Sequence, residues 1–155
     1  MSTRAIQFLI QRRLSFEVVH YEHLEKGAEF AARATGFPLE QTVKTLVVDL
    51  GSKRYALALV SGAHQLDMKR LARALSAKRV EMADALTAER ITGYHVGGIS
   101  PFGIRQPLPV VMDEGIIHLD QVLINAGQRG VMLRISPRDI RAALNCVVAA
   151  VADIE

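Results

Sequence analysis

The sequence predicts an α+β fold, in which helices surround a mixed, mostly antiparallel sheet with a barrel-like curl. One observation is that the chain contains many short apolar segments typical of strands, with turn residues between them. A second is a set of segments with helical apolar spacing and recognisable end signals. The third is the chain length of 155 residues, half of them hydrophobic, without a linker or repeat, which suits a single domain over 1–155.

The first part of the chain alternates between helix and strand signals. Apolar residues at helical spacing predict a helix over 3–13, and alternation over 16–20 predicts a short strand. Residues 27–36 predict a second helix, which a glycine and a nearby proline end. The apolar segments 43–50 and 55–60 flank a polar turn and predict a hairpin of two buried strands.

Two more helices are predicted from their first residues. Asp67 and Asp84 suit the N-cap position, because a short acidic side chain accepts hydrogen bonds from the free N–H groups of the first turn. The second of these helices would end at Gly93. Beyond it, 110–112 and 116–118 flank a turn signal and predict another hairpin.

The last part of the chain predicts two strands and a helix. Strands are expected at 122–124 and 131–135, on either side of a turn that contains glycine. Ser136 and Pro137 mark the start of the final helix, and Asp139 is placed to form a capping box with the serine.

Composition narrows the classes of function. The net charge of +3, from 19 basic and 16 acidic residues, permits contact with a polyanion without requiring it. No run of five or six basic residues is present, which argues against binding through a basic tail. Aromatic residues make up only 5% of the chain and tryptophan is absent, so a platform that stacks several bases is not expected.

Composition also indicates a compartment. The single cysteine, Cys146, excludes an intramolecular disulfide and fits a reducing environment. The N-terminus has no apolar signal core and no apolar window is long enough for a transmembrane helix. We therefore expect a cytoplasmic protein without membrane contact. No cofactor is predicted, and the sequence indicates no particular oligomeric state.

Lys44 is the first candidate for chemistry. It lies among the apolar residues of a predicted strand. Its stem could extend to the surface near a strand end, which would make it a structural residue. Alternatively, a cleft would present it as a compact positive charge toward a phosphate or a carbonyl oxygen.

The glycine loop, Gly93–Gly103, is the second candidate and holds four of the 11 glycines. Glycine lets the backbone approach a ligand closely, and adjacent N–H groups can bind an anion or an oxyanion. The pattern matches neither a dinucleotide fingerprint nor a P-loop, and an irregular surface loop is the alternative. The segment Asn125–Gly130 could likewise line a polar pocket or form a simple hairpin turn.

Other candidate centres are weak. His20 and His23 would lie on opposite faces of a strand, and no further cluster completes a ligand set, so no metal is predicted. Ser61 and His64 are too close in sequence for triad geometry. Three more residues are expected to be structural: His95, His118, and Cys146 packed in the final helix.

Basic residues on and after the helix from Asp67 form the last candidate surface. They could simply be solvated, or they could contact phosphates and steer RNA without reading its bases. These residues are Lys69, Arg70, Arg73, Lys78 and Arg79.

Three separated segments together resemble one family. They are Val43–Val48, then Val80–Gly103 with its Gly97-Gly98-Ile99-Ser100-Pro101-Phe102-Gly103 end, and finally Asn125–Gly130. In order and spacing the chain resembles the YbaK family, the free-standing relatives of the editing insertion domain of bacterial prolyl-tRNA synthetase. The resemblance covers 21–144, nearly the whole chain.

The resemblance implies an editing-domain fold that deacylates mischarged aminoacyl-tRNA in trans, with Lys44 and Gly97 as catalytic residues. The glycine segment is closer to the cysteinyl-tRNA(Pro) deacylases, so Cys-tRNA(Pro) is the expected substrate and prolyl-tRNA synthetase a candidate partner. Asn125 departs from the serine that many relatives carry. The substrate-binding residues that the resemblance implies are Tyr21, Thr45, Gly98, Ile99, Ser100, Pro101, Asn125 and Gly127.

Such a site needs position and charge stabilisation more than a nucleophile, because an aminoacyl ester is already activated. We expect Lys44 to hold the terminal phosphate or the ester carbonyl, and the N–H groups of Gly97 and Gly98 to stabilise the oxyanion. Water would attack, or the thiol of a cysteine substrate. The alternatives are a non-catalytic tRNA- or synthetase-binding module of the same fold, and an interaction domain whose glycine loop binds a peptide or nucleotide.

Overall fold

The computed structural model describes residues 2–22, 24–25 and 27–153. Helices and strands alternate along these segments, together with a short 3₁₀ turn at Leu39–Gln41. The helices are α1 Arg4–Gln11, α2 Ala28–Thr35, α3 Met68–Ala74, α4 Ala85–Thr92, α5 Glu114–Ile117 and α6 Pro137–Leu144. The strands are β1 Glu17–His20, β2 Thr42–Gly51, β3 Arg54–Ser61, β4 Gln65–Leu66, β5 Glu81–Met82, β6 Val110–Asp113, β7 Val122–Gln128, β8 Val131–Ile135, β9 Val147–Ala149 and β10 Ala152–Asp153.

The main sheet has the strand order β1-β8-β7-β2-β3-β6-β9, with β5 paired to β2. The pairs β1–β8, β8–β7, β2–β3 and β2–β5 are antiparallel, whereas β7–β2, β3–β6 and β6–β9 are parallel. The mixed α+β prediction is therefore confirmed. The barrel-like closure is wrong, because β1 and β9 are the two ends of the strand order and, within the described residues, each pairs with a single neighbouring strand.

Short polar side chains begin the helices where the sequence predicts. Asp67 accepts from the N–H groups of Lys69 and Arg70 at 3.1 Å, and Asp84 accepts from the Thr87 N–H at 2.8 Å. Each bond satisfies a first-turn donor that has no partner within its helix. The helices predicted from these aspartates are confirmed.

The predicted strand at 116–118 is wrong, because α5 occupies Glu114–Ile117. Asp113 explains the difference. One carboxylate oxygen accepts from the Gly115 N–H at 3.1 Å, which starts a helical turn. The other accepts from the N–H groups of Val151 and Ala152 at 2.9 and 3.1 Å, so this buried carboxylate also fixes the C-terminal segment.

The last helix begins as predicted at Ser136 and Pro137, but the capping box does not form. The Ser136 side chain accepts no capping hydrogen bond, and the Asp139 N–H bonds to the Ser136 carbonyl oxygen at 3.1 Å. Cys146 lies beyond the end of α6 and not within it, just before β9. The strands β9 and β10 were not predicted, since three and two residues are too few to show a period.

The core occupies both faces of the sheet. Leu57 and Leu59 pack with α1 and the glycine loop on one face, and the alternate residues Ala56 and Ala58 pack against Leu71 of α3 on the other. This alternation follows from the two-residue period of a strand. No helix in the described part of the chain is long and apolar enough to cross a bilayer.

Candidate active site

A cavity of about 450 Å³ lies beside the middle of β2. Its volume falls in the range of roughly 300–1,000 Å³ that is typical of small-molecule sites. The wall comes from α2, β2, the segment 82–88, the glycine loop, β7 and β8. Six of the residues that the sequence predicts for the site line it: Tyr21, Lys44, Thr45, Gly97, Ile99 and Asn125.

The cavity follows an open edge of β2. On that edge β7 pairs only with Thr42 and Val43, and β5 pairs only with Val48 and Asp49. The pairing with β7 stops where the register of β7 shifts after Asn125. Side chains of consecutive strand residues point to opposite faces, yet Lys44 and Thr45 both line the cavity, since it passes beside an uncovered strand edge.

Lys44 is half-buried in the cavity wall, and its Nζ donates to the carbonyl oxygen of His64 at 2.7 Å. Burial lowers the pKa of Lys44 below its usual range, and the negative charge of Glu29 on α2 partly offsets this effect. One hydrogen bond leaves two N–H donors of the ammonium group for a ligand.

The glycine loop is held by a hydrogen bond within it and by another to Glu89 of α4. The Tyr94 hydroxyl donates to the Phe102 carbonyl oxygen, and burial raises the pKa of Tyr94 to about 12. The Val96 N–H donates to a carboxylate oxygen of Glu89 at 2.7 Å. Gly97 follows with φ +94°, a left-handed conformation in which a side chain is strained.

The predicted oxyanion donors need one correction. The Gly98 N–H donates to the His95 carbonyl oxygen at 2.9 Å, so this donor is already used inside the loop. Within the described segments, the N–H groups of Gly97 and Ile99 have no hydrogen-bond partner. Both residues line the cavity, so their N–H groups replace that of Gly98 as the candidate donors.

Asn125 joins the glycine loop to the β7 bulge. Its Nδ2 donates to the Gly97 carbonyl oxygen at 3.2 Å, and its Oδ1 accepts from the Gly127 N–H at 2.8 Å. Gly127 has φ +99°, and a Cβ there would lie 2.7 Å from the Tyr94 ring. The amide of Asn125 therefore fixes the peptide that follows Gly97 at the cavity wall.

Four predicted substrate-binding residues do not line the cavity: Gly98, Ser100, Pro101 and Gly127. Ser100 is fully buried, and its Oγ accepts from the Phe102 N–H at 3.2 Å. A Cβ on Gly98 would lie 3.1 Å from the backbone of Arg129 and Gln128. These residues shape the loop and its close packing.

The five predicted phosphate contacts are all exposed and lie outside the cavity wall. Arg70 lies 3.6 Å from Asp67, and Arg79 lies 3.5 Å from Glu81. Exposed ion pairs of this kind contribute little to stability and are readily exchanged for another anion.

The other candidate centres have structural partners. Ser61 Oγ donates to the Glu40 carbonyl oxygen at 2.9 Å and makes no bond to the His64 side chain. Cys146 is buried, and burial raises its pKa to about 12, which disfavours the nucleophilic thiolate. His95 is exposed, 3.6 Å from Glu89. His23 lies outside the described residues, and within them no three His, Cys, Asp or Glu side chains form a ligand set.

Sequence reasoning missed part of the apolar wall. Ala28 and Ala31 of α2, Met82 of β5, and Ala83 and Ala85 beyond it line the cavity. The four alanines are small, which leaves room beside β2, but alanine has no distinctive chemical signal in a sequence. Met82 is 47% exposed, and the sequence has no signal that this side chain would face the cavity.

Comparison with known proteins adds three findings. A family model described as an aminoacyl-tRNA editing domain matches residues 24–143. An Enterococcus faecalis protein, provisionally named Cys-tRNA(Pro)/Cys-tRNA(Cys) deacylase EbsC, is 29% identical over 147 residues, which cover 92% of this chain and 88% of that protein. A solved structure, provisionally described as a trans-editing enzyme for prolyl tRNA synthetase, superimposes with a TM-score of 0.87 at 29% identity over 97% of this chain and 96% of its own.

A further relative is a larger protein. The proline–tRNA ligase of Trichlorobacter lovleyi is 32% identical over 97 residues. That alignment covers 63% of this chain but only 17% of the ligase. The similarity therefore concerns one part of that ligase.

Proposed function

The chain belongs to the aminoacyl-tRNA editing domain family, and from this membership we propose that it hydrolyses mischarged aminoacyl-tRNA in trans. The enzyme is an aminoacyl-tRNA deacylase, an ester hydrolase. Its proposed substrate is Cys-tRNA(Pro), which the name of the E. faecalis relative supports.

One observation supports the proposal: Lys44 and Gly97, whose N–H has no hydrogen-bond partner among the described residues, line the same cavity. Both groups suit an ester whose carbonyl oxygen gains negative charge during hydrolysis, because a positive charge and an N–H donor stabilise that charge. The Ile99 N–H is a second donor for the same oxygen, in place of the Gly98 N–H.

The proposed reaction needs no nucleophile from the protein. Water adds to the ester carbonyl carbon, and a tetrahedral intermediate forms. The bond between that carbon and the ribose oxygen then breaks, the ribose oxygen takes a proton from the attacking water, and amino acid and tRNA leave. If cysteine is bound, its own sulfur forms the new bond to the carbonyl carbon in place of water. The bond between that carbon and the ribose oxygen breaks, the thiol proton passes to the ribose oxygen, and a cyclic thioester and uncharged tRNA leave.

We assign recognition of the rest of the tRNA to attraction between basic side chains and its phosphates. The exposed basic residues of α3 and of the segment after it can contact phosphates without reading bases. The similarity to part of a proline–tRNA ligase supports tRNA(Pro) as the carrier and prolyl-tRNA synthetase as a partner.

A panel of substrates tests the proposal. The purified protein is incubated with Cys-, Ala-, Ser- and Pro-tRNA(Pro), and release of the amino acid is compared with spontaneous hydrolysis. We expect Cys-tRNA(Pro) to be cleaved fastest, and Cys146→Ala to cleave it at the wild-type rate. If the protein binds these tRNAs but cleaves none of them, the non-catalytic tRNA-binding module is the correct function.

A further inference from the structure

We infer that the backbone N–H and C=O of Thr45 bind the aminoacyl group itself. The N–H donates to the ester carbonyl oxygen, and the C=O accepts from the α-amine. This inference rests on the proposed function and names the part of the substrate that the cavity recognises. It assigns recognition to the amino acid backbone, independently of the side chain.

The strand register fixes the direction of these two groups. Leu57 lies opposite Val47, but its N–H donates to the Pro109 carbonyl oxygen at 2.9 Å, away from β2. The Val47 carbonyl oxygen accepts from the Ala83 N–H at 3.0 Å, on the other edge of β2. In an antiparallel strand the N–H and C=O of one residue point to the same edge, and every second residue repeats the direction. Thr45 therefore points both groups away from β3.

Among the described residues, no strand pairs with Thr45 on that edge. Pairing of β2 with β7 ends at Val43 and Ile124, because β7 changes register at its bulge. The Gly127 N–H, the next donor along β7, bonds to Asn125 Oδ1. On the other side, pairing resumes only at the Val47 carbonyl oxygen. In the described part of the chain, the ladder thus leaves the Thr45 peptide groups without a partner.

The side chain of Thr45 supports the same conclusion. Its Oγ1 is buried and, among the described residues, has no hydrogen-bond partner. Unpaired polar atoms in the middle of a strand cost free energy, and folded proteins satisfy nearly all of them. Thr45 lines the cavity, so its unpaired N–H and C=O lie beside space that a ligand can occupy. A ligand with matching groups would satisfy them.

An aminoacyl ester has those groups in the right arrangement. Its α-amine and carbonyl oxygen flank one carbon atom, as the N–H and C=O of a residue do in an antiparallel partner strand. The bound amino acid would thereby fill the gap between β7 and β5 as one added residue of the sheet, as extended peptides do at sheet edges. The Thr45 N–H would then share the ester oxygen with the donors of the glycine loop.

Substrates that lack only the α-amine test this assignment. Cysteinyl and 3-mercaptopropanoyl esters of tRNA(Pro) are compared, and alanyl and propanoyl esters, each rate being divided by that of spontaneous hydrolysis. We expect kcat/KM to fall by at least about tenfold without the amine, the effect of one lost hydrogen bond to a polar or charged group. Thr45→Val keeps both peptide groups, so it should show the same ratio between the two members of each pair.

Amide hydrogen exchange gives a direct readout of the Thr45 N–H. It should exchange rapidly in the free protein and at least about tenfold more slowly with a non-hydrolysable 3′-cysteinylamino-adenosine, because a hydrogen-bonded amide must open before it exchanges. The Val60 N–H, in a paired strand, is the protected control. Equal cleavage with and without the amine, or no change at Thr45, would overturn the inference and leave the deacylase function intact. Absence of cleavage of every aminoacyl-tRNA would overturn both.

Discussion

At the scale of single residues, Asn125 has the most connected position in the site. Its amide bonds to the Gly97 carbonyl oxygen at 3.2 Å and to the Gly127 N–H at 2.8 Å, so one side chain joins two segments that are far apart in sequence. The residue also lines the cavity. Asn125 is therefore a positioning residue for Gly97 and, in our proposal, a contact for the substrate.

Asn125→Ala should lower kcat/KM for deacylation by at least about tenfold and cost about 1–2 kcal/mol of stability, since two hydrogen bonds are removed. Enzyme kinetics and urea unfolding measure the two effects. Asn145→Ala is the matched control, because Asn145 has φ +53° at the exposed end of α6. It should lose stability by strain while the folded protein keeps its activity. Equal activity of both variants would show that Asn125 does not position the loop.

Residue chemistry made part of the site predictable. Lys44 stands out because a lysine in an apolar strand is unusual, and Gly97 because glycines cluster in one loop, and both line the cavity. The use of the Gly98 N–H inside the loop was not predictable, because it depends on how the chain turns back to His95. The free groups of Thr45 were equally hidden, since they depend on where a distant strand stops pairing.

At the scale of elements, the bulge of β7 is the feature that builds the site. It ends the pairing with β2, opens the edge at Thr45 and brings Asn125 to the glycine loop. Gly127 makes the bulge possible because it adopts φ +99° against the Tyr94 ring.

Gly127→Ala should therefore destabilise the protein and lower its activity together. Gly36→Ala is a matched control, since Gly36 has φ +73° with nothing within 4 Å of a Cβ. The control should cost only the strain of a left-handed residue, roughly 1–2 kcal/mol. The added Cβ at Gly127 would lie 2.7 Å from the Tyr94 ring, so this variant should lose more stability. Equal unfolding free energies and equal kcat/KM for the two variants would contradict the role given to the bulge.

Some helices and strands can be predicted from their own residues, and others cannot. The β2–β3 hairpin and the helices from Asp67 and Asp84 were predictable, since apolar period and cap residues are local. The segment 116–118 resembles a strand because its apolar residues show no helical period. The hydrogen bond from the Gly115 N–H to the Asp113 carboxylate starts a helix there instead. The short strands β5 and β9 form because they pair with β2 and β6. That pairing cannot be predicted from the residues of the short strands themselves.

At the scale of the whole molecule, the cavity assembles segments from Tyr21 to Met132. The mixed sheet was predictable from the number and type of elements, but its openness was not. Closure depends on whether the edge strands meet, and here β1 and β9 lie at opposite ends of the strand order. The basic residues of α3 do not line the cavity, so in our proposal the surface that contacts tRNA is separate from the site of the chemistry.

That separation predicts a kinetic difference. Lys69→Ala with Arg73→Ala should raise KM, leave kcat unchanged, and reduce the slope of log affinity against log salt by about one for each phosphate that the protein no longer neutralises. Tritiated or fluorescent tRNA binding at several salt concentrations measures the slope. Arg138→Ala with Arg141→Ala removes the same charge from exposed positions of α6 and is the control. If the slope falls equally in both double variants, the substitutions on α3 act only through the net charge of the protein, and the proposed phosphate contacts there are contradicted.

The central claim is that Lys44 acts on the ester in the cavity, and one comparison tests it most directly. Single-turnover deacylation of Cys-tRNA(Pro) and affinity for uncharged tRNA(Pro) are measured for Lys44→Ala, with Lys53→Asn as a control at an exposed turn. We predict that Lys44→Ala slows deacylation by at least about a hundredfold, the effect of removing one charge-stabilising group. Its tRNA affinity should stay within about threefold, because many phosphate contacts share the binding. Wild-type deacylation by a folded Lys44→Ala protein would contradict the claim.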